Sequence, residues 1–213
     1  MTRAFGAIVI SLVAQTVLAA EPVELTKSTY TVGGAVLALS VNWGRSWKCG
    51  PYQNAQLQAL TFRRAPLSAG NSVSLDLQTP SKLFVDNKFI PYAYVVEPGE
   101  YILTGFDVKI ARSVRDVVHI KGTEAHLVKD GKPTGGAFTV NAGEVVYVGH
   151  FGLDCGAEPF LWRYYLESRA EFESWVTEFR DKYPFAKDLP AHFRLFETTS
   201  LGNPFSLAEP TIK

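Results

Sequence analysis

Apolar residues recur at every second position through much of this chain, and a period of two is the signature of strands with one face buried. The stretch from Ala35 to Trp43 is the densest case, with Leu37, Leu39, Val41 and Trp43 on one face. Further predicted strands follow at short intervals: Leu57–Arg63, Ser72–Leu77, Lys82–Val85, Ile90–Val96, Tyr101–Ile110, Asp116–Lys121, Ala137–Asn141, Glu144–His150 and Phe160–Leu166. Clusters such as Ala69-Gly70-Asn71, Glu97-Pro98-Gly99-Glu100 and Asn141-Ala142-Gly143 separate them. Many short strands without helices between them predict a mainly β fold, an antiparallel sandwich of the immunoglobulin-like or a related kind.

Two turns can be specified further. Proline presets φ for the second position of a type II turn and glycine accepts the positive φ of the third, so Pro98-Gly99 is expected to reverse Ile90–Val96 into Tyr101–Phe106 as a hairpin. Asp130-Gly131 is a second hairpin signal, expected to join Ala125–Val128 to the strand around Phe138. One helix is marked. Ser168-Arg169-Ala170-Glu171 has the form of a capping box, and Phe172, Trp175, Val176 and Phe179 then fall on one helical stripe. Pro184 ends it. This C-terminal amphipathic helix is expected to lay its aromatic stripe on the sandwich, and a short strand-like piece follows at His192–Phe196.

The beginning of the chain has a different pattern. Arg3 supplies a positive charge, Ala4–Val13 is largely apolar, and Val17-Leu18-Ala19-Ala20 places small residues before Glu21, the order of a secretory signal peptide. The expected organisation is therefore a signal peptide at 1–20, a β-sandwich at 21–166, and a helix and tail at 167–213 packed on the same domain. Removal of the leader would leave about 193 of the 213 residues, enough for one ordinary domain. No later segment is apolar for the roughly 20 residues that a membrane-spanning helix needs, so a soluble product in the periplasm or outside the cell is expected. The first cysteine, Cys49, is far from the cleavage site, which argues against a lipid anchor of the bacterial lipoprotein type.

Charge and composition narrow the classes. Lysine and arginine number 21, aspartate and glutamate 21, and 46% of residues are apolar, which suits a folding globular chain and not a disordered one. The longest basic run is Arg63-Arg64, so the electrostatic footprint of a nucleic-acid binder is missing. Cys49 and Cys155 are the two cysteines, and an even pair in an exported chain predicts a disulfide. The sharper alternative is a nucleophilic thiol at Cys155, with His150 near it in sequence as the base.

Chemistry-bearing groups are densest from Gly149 to Glu158, expected as a glycine-rich loop with His150, Asp154 and Glu158 as candidate functional residues. A hydrolase using this loop is one reading. As a metal site it is poor, because His119, His126 and His192 are scattered and no H-x-x-x-H or C-x-x-C spacing occurs. G-x-S-x-G and phosphate-loop patterns are also missing, and no cofactor or catalytic residue is indicated. Aromatic residues suggest another class. Trp43, Trp47 and Tyr52 flank Cys49, and Phe160, Trp162 and Tyr164 follow Cys155 on one face at period two. If exposed, that face would suit a carbohydrate or protein partner; if buried, it is core beside a disulfide.

Two segments carry a resemblance. Val95–Leu103 contains Pro98-Gly99-Glu100-Tyr101, and Phe138–Gly149 contains Ala142-Gly143-Glu144-Val145-Val146-Tyr147. Together they resemble a pattern in uncharacterised bacterial envelope proteins, where a PG-x-Y hairpin and an AGE-x-Y-Y strand belong to a small β-sandwich. The resemblance spans roughly Leu60 to Cys155, and Val146 stands where the first tyrosine of the strand motif would be. It implies architecture and no catalytic residues. The expected function is that of an exported soluble envelope protein that binds a glycan or another envelope protein, or serves it as an accessory component.

Overall fold

The structure, a computed structural model, describes residues 22–67, 73–81, 85–156, 158–164, 166, 168–194, 198 and 211–212. The strands in chain order are β1 (Ala35–Asn42), β2 (Arg45–Cys49), β3 (Tyr52–Arg64), β4 (Ser74–Gln78), β5 (Phe89–Val96), β6 (Gly99–Ala111), β7 (Val117–Gly122), β8 (Val128–Lys129), β9 (Lys132–Pro133), β10 (Ala137–Val140), β11 (Val145–Asp154), β12 (Phe160–Tyr164), β13 (Ala191–Phe193) and β14 (Thr211–Ile212). The helices are α1 (Glu124–Leu127) and α2 (Arg169–Lys182). The leader at 1–20, the Ala69-Gly70-Asn71 cluster and most of the strand expected at Lys82–Val85 lie outside the described residues. Val85 itself is not in a strand.

Two sheets face each other across a shared core, as a mainly β sandwich requires. The first, sheet A, runs β14-β13-β11-β1-β5, with β12 also paired to β11. The second, sheet B, runs β10-β6-β3-β2, with β4 beside β3 and β7 beside β6. Leu37, Leu39, Val41 and Trp43 all enter the core between the sheets, as their period predicts. Phe62 of sheet B meets Phe151 of sheet A edge-on at 5.7 Å and Phe138 at 5.6 Å.

Sheet B is antiparallel throughout, whereas sheet A is mixed. β1 pairs in parallel with β11, and β11 in parallel with β13. The cause lies in the even-numbered residues of β1. Val36 and Ala38 are as apolar as their neighbours, so the strand offers a second face, which packs with Val145, Tyr147, Phe172, Val176, Phe179 and Phe193 in a separate core under α2. Strands buried on both faces are the usual material of parallel pairing. The helix therefore forms a third layer, and its predicted stripe is the buried one: Phe172, Val176 and Phe179 are buried, and Trp175 lies on Tyr147 at 4.3 Å. Ser168 caps it by accepting the Glu171 N–H at 3.2 Å. The strand-like piece after α2 is the short β13 at Ala191–Phe193, so the C-terminal part lends sheet A a strand.

Both turn predictions need correction. β5 and β6 do not form a hairpin: β5 pairs with β1 in sheet A, and β6 pairs with β3 in sheet B. Pro98-Gly99 is an arch between the sheets. Gly99 has φ +154°, and a Cβ there would stand 2.9 Å from Arg64 Cδ, which only glycine avoids. The arch is locked by the buried Tyr101, whose hydroxyl donates to the Glu97 carbonyl at 2.8 Å. Burial pushes that phenol up to about 12. Asp130-Gly131 does make a tight turn, with φ +52° and +72°, but it joins β8 to β9. Glu124–Leu127 is a helical turn, not a strand, because Leu127 reaches the inter-sheet core from it.

Removing the Phe172 ring leaves a cavity at the centre of the second core. Phe172→Ala is expected to lower stability by about 3–5 kcal/mol in urea unfolding. Glu173→Ala, which loses an exposed ion pair with Arg169, should change it by about 1 kcal/mol or less.

Candidate functional site

The two sheets are tied at one end by a disulfide. Cys49 closes β2 and Cys155 follows β11, with an S–S distance of 2.01 Å and Cα atoms 4.5 Å apart. No free cysteine remains among the described residues. A bonded sulfur holds no thiolate, which overturns the reading of Cys155 as a nucleophile.

The segment expected as a glycine-rich loop is mostly strand. β11 continues to Asp154 and is flanked at His150 by both β1 and β12. A register shift between Ala38 and Ser40 of β1 inserts an extra residue into β11, and Gly149 takes φ +93° there. The shift leaves Tyr147 and His150 on the same outward face. His150 packs on Phe89 at 4.7 Å between ring centroids and edge-on to Tyr147 at 5.8 Å. Asp154 lies on that face four residues later, about 13 Å along the strand at its usual rise. That spacing separates the two groups too far for mutual proton transfer or a shared metal. The Asp154 carboxylate instead accepts the Gly156 N–H at 2.8 Å, and Glu158 is exposed beyond the turn. No group of three or more potential metal ligands exists among the described residues.

The aromatic residues divide. Trp43 is fully buried, and its indole N–H donates to the Tyr92 hydroxyl at 2.8 Å. Leu161 of β12 points into the inter-sheet core, so Phe160 and Trp162 take the outward face of sheet A. Phe160 is 39% exposed and meets Trp162 edge-on at 5.7 Å. Tyr164 pairs with His150 in the same register, while its side chain lies outside the described residues. Helix α2 covers this face over Val36, Ala38 and Tyr147. Phe89, a residue absent from the predicted strands, adds a half-exposed ring to it at the edge of β5. Its signal was the neighbouring Ile90, since the strand begins one residue earlier than its apolar alternation does.

At the opposite end of the sandwich is a charged cluster that spacing alone does not reveal. Glu144 is buried and receives two guanidinium N–H groups of Arg194, one of them at 3.0 Å, together with the Asn141 N–H at 2.6 Å. His192 Nε2 lies 3.3 Å from its carboxylate. Burial raises the Glu144 pKa, but the bonds from Arg194 and Asn141 and the charges of Arg194 and His192 outweigh it and hold the group below its ordinary 4.5. The cluster ties the turn before β11 to the residue after β13. It reads as a structural lock, because its donors and acceptors are spent on one another.

Comparison with protein-family models, with curated proteins and with solved structures finds no match to this chain. No helix among the described residues is long and apolar enough to cross a membrane.

Reduction of the bridge should destabilise the fold by up to about 4.7 kcal/mol, the chain-entropy value for a closed loop on the order of 100 residues, read as a lowered urea midpoint. Because Glu144 is more acidic folded than unfolded, its contribution is full above the unfolded value of 4.5 and is lost as pH falls through the folded value. Glu144→Gln should cost up to about 3 kcal/mol at neutral pH by removing the charge partner of the half-buried Arg194. The same variant should flatten the fall in stability measured below pH 4.5.

Proposed function

We propose that this chain is an exported protein of the bacterial envelope that acts by binding, and that the outward face of β12 takes a glycan. The observation that carries the reading is the half-exposed Phe160 beside Trp162 on a strand paired with β11 alone among the described residues. Asp154 stands opposite Phe160 and the buried Gly152 opposite Trp162, so a carboxylate acceptor adjoins aromatic rings on the outward face of the strand pair. Sugars are met by that combination, with apolar ring faces for their C–H surfaces and polar groups for their hydroxyls.

Export is supported by the leader pattern of residues 1–20 and by the disulfide, which persists in oxidising compartments. The resemblance to envelope sandwich proteins supports the same compartment. Its two motifs contain the residues of both polar locks, Tyr101 in PG-x-Y and Glu144 in AGE.

Co-sedimentation with insoluble envelope glycan tests the reading. Phe160→Ala and Trp162→Ala are each expected to weaken binding at least about tenfold, or about 1.4 kcal/mol, with the fold unchanged by circular dichroism. Binding that is absent in the native chain, or undiminished in both variants, contradicts it.

A further inference from the structure

Sheet B carries a patch at the disulfide end that the glycan reading leaves unused. Its last cross-strand row runs through Trp47, Asn54, Ala111 and Val117 on β2, β3, β6 and β7. Three interstrand steps make the row about 14 Å wide. Ala55 and Ile110, next along β3 and β6, are core residues, so the row faces outward. Trp47 is 67% exposed, and Val114 in the turn between β6 and β7 is 94% exposed. Exposed apolar side chains on two adjacent hairpins, Trp47 on one and Val114 with the half-exposed Val117 on the other, form more than a scattered surface residue.

Cations surround these tips. The Arg45 guanidinium lies over the Trp47 ring at 5.4 Å, and that of Arg112 over Tyr52 at 5.5 Å. Lys48, next to Trp47 on β2, and Arg115, next to Val114 in the β6–β7 turn, are exposed. Of the acids near this corner, Asp116 is paired with Arg112 at 3.8 Å and Asp86, beside the Asn87 that abuts Gly44, with Lys88 at 3.3 Å, while Asp154 precedes the bridge on sheet A.

We propose that this corner docks on an anionic lipid bilayer, with Trp47 and Val114 entering the interface and Arg45, Lys48, Arg112 and Arg115 facing lipid phosphates. Charge complementarity selects this occupant. An indole with its polar N–H favours the headgroup boundary, and each basic side chain near an anionic surface strengthens binding by about fivefold. A soluble polyanion would use the cations but gain nothing from a valine at the tip. The proposal does not depend on glycan binding, which uses the other sheet.

The test is sedimentation of the full chain with vesicles of phosphatidylcholine alone or mixed about equally with phosphatidylglycerol. Residues 1–20 are common to every chain compared, so the differences between variants report the patch. The native chain should favour the anionic vesicles, and added salt should weaken that preference. Trp47→Ser and Val114→Asp should each reduce binding at least about fivefold, and Lys48→Glu with Arg115→Glu more than about tenfold. Val32→Asp, at a 97% exposed valine before β1 on the opposite end, should leave it unchanged. Equal binding to both vesicle types, or binding indifferent to Trp47 and Val114, overturns the proposal. So does binding to dextran sulfate with no preference for anionic vesicles.

Discussion

The parallel pairing of β1 with β11 is the constraint on which the remaining structure depends. Both strands are apolar on both faces, so neither can lie at the surface of a two-layer sandwich. Each face needs its own cover. Sheet B supplies one, with Phe62, Leu60 and Leu103 against Leu37 and Val146. Helix α2 supplies the other, with Phe172 and Val176 near Val36 and Tyr147. The C-terminal helix is thus a required layer of the fold, because without it a continuous apolar strip of sheet A would meet water.

The two ends of the sandwich are closed in different ways. At the end where β1, β6 and β11 begin, polar side chains do the work: Tyr101 holds the arch between sheets, and Glu144 gathers Arg194, His192 and the Asn141 N–H. At the other end a covalent link replaces them, since Cys49 joins β2 to the end of β11. That division leaves the disulfide end free to expose Trp47, Val114, Phe89 and Phe160, which an apolar closure would have buried. The bridge fixes the spacing of two surfaces of different character, an aromatic face with Asp154 on sheet A and a cationic corner on sheet B.

Much of the fold was legible because period-two alternation reports burial directly. Leu37, Leu39 and Val41 face the core as their spacing requires, and the stripe from Phe172 to Phe179 is the buried face of α2. The parallel pairing was less legible, although Val36 and Ala38 carried its signal: a strand apolar at every position asks for cover on both sides. The arch at Pro98-Gly99 is not legible locally because the same dipeptide serves a hairpin and a crossing between sheets, and the choice lies in the distant partners of the flanking strands, β1 for β5 and β3 for β6. His150 and Asp154 drew attention by sequence proximity, yet an extended strand sets them far apart. The pairing of Glu144 with Arg194 joins residues fifty positions apart and has no local pattern.

Native-state hydrogen exchange tests the central role of the β1–β11 pair most directly. If that doubly covered pair organises the fold, its amides from Val36 to Val41 and from Val145 to Val148 should exchange slowest, through global unfolding alone. Those of the exposed strand β7 should open locally and faster. Protection in β7 equal to that in β1, or fast exchange across β1 and β11 while sheet B stays protected, would contradict the account.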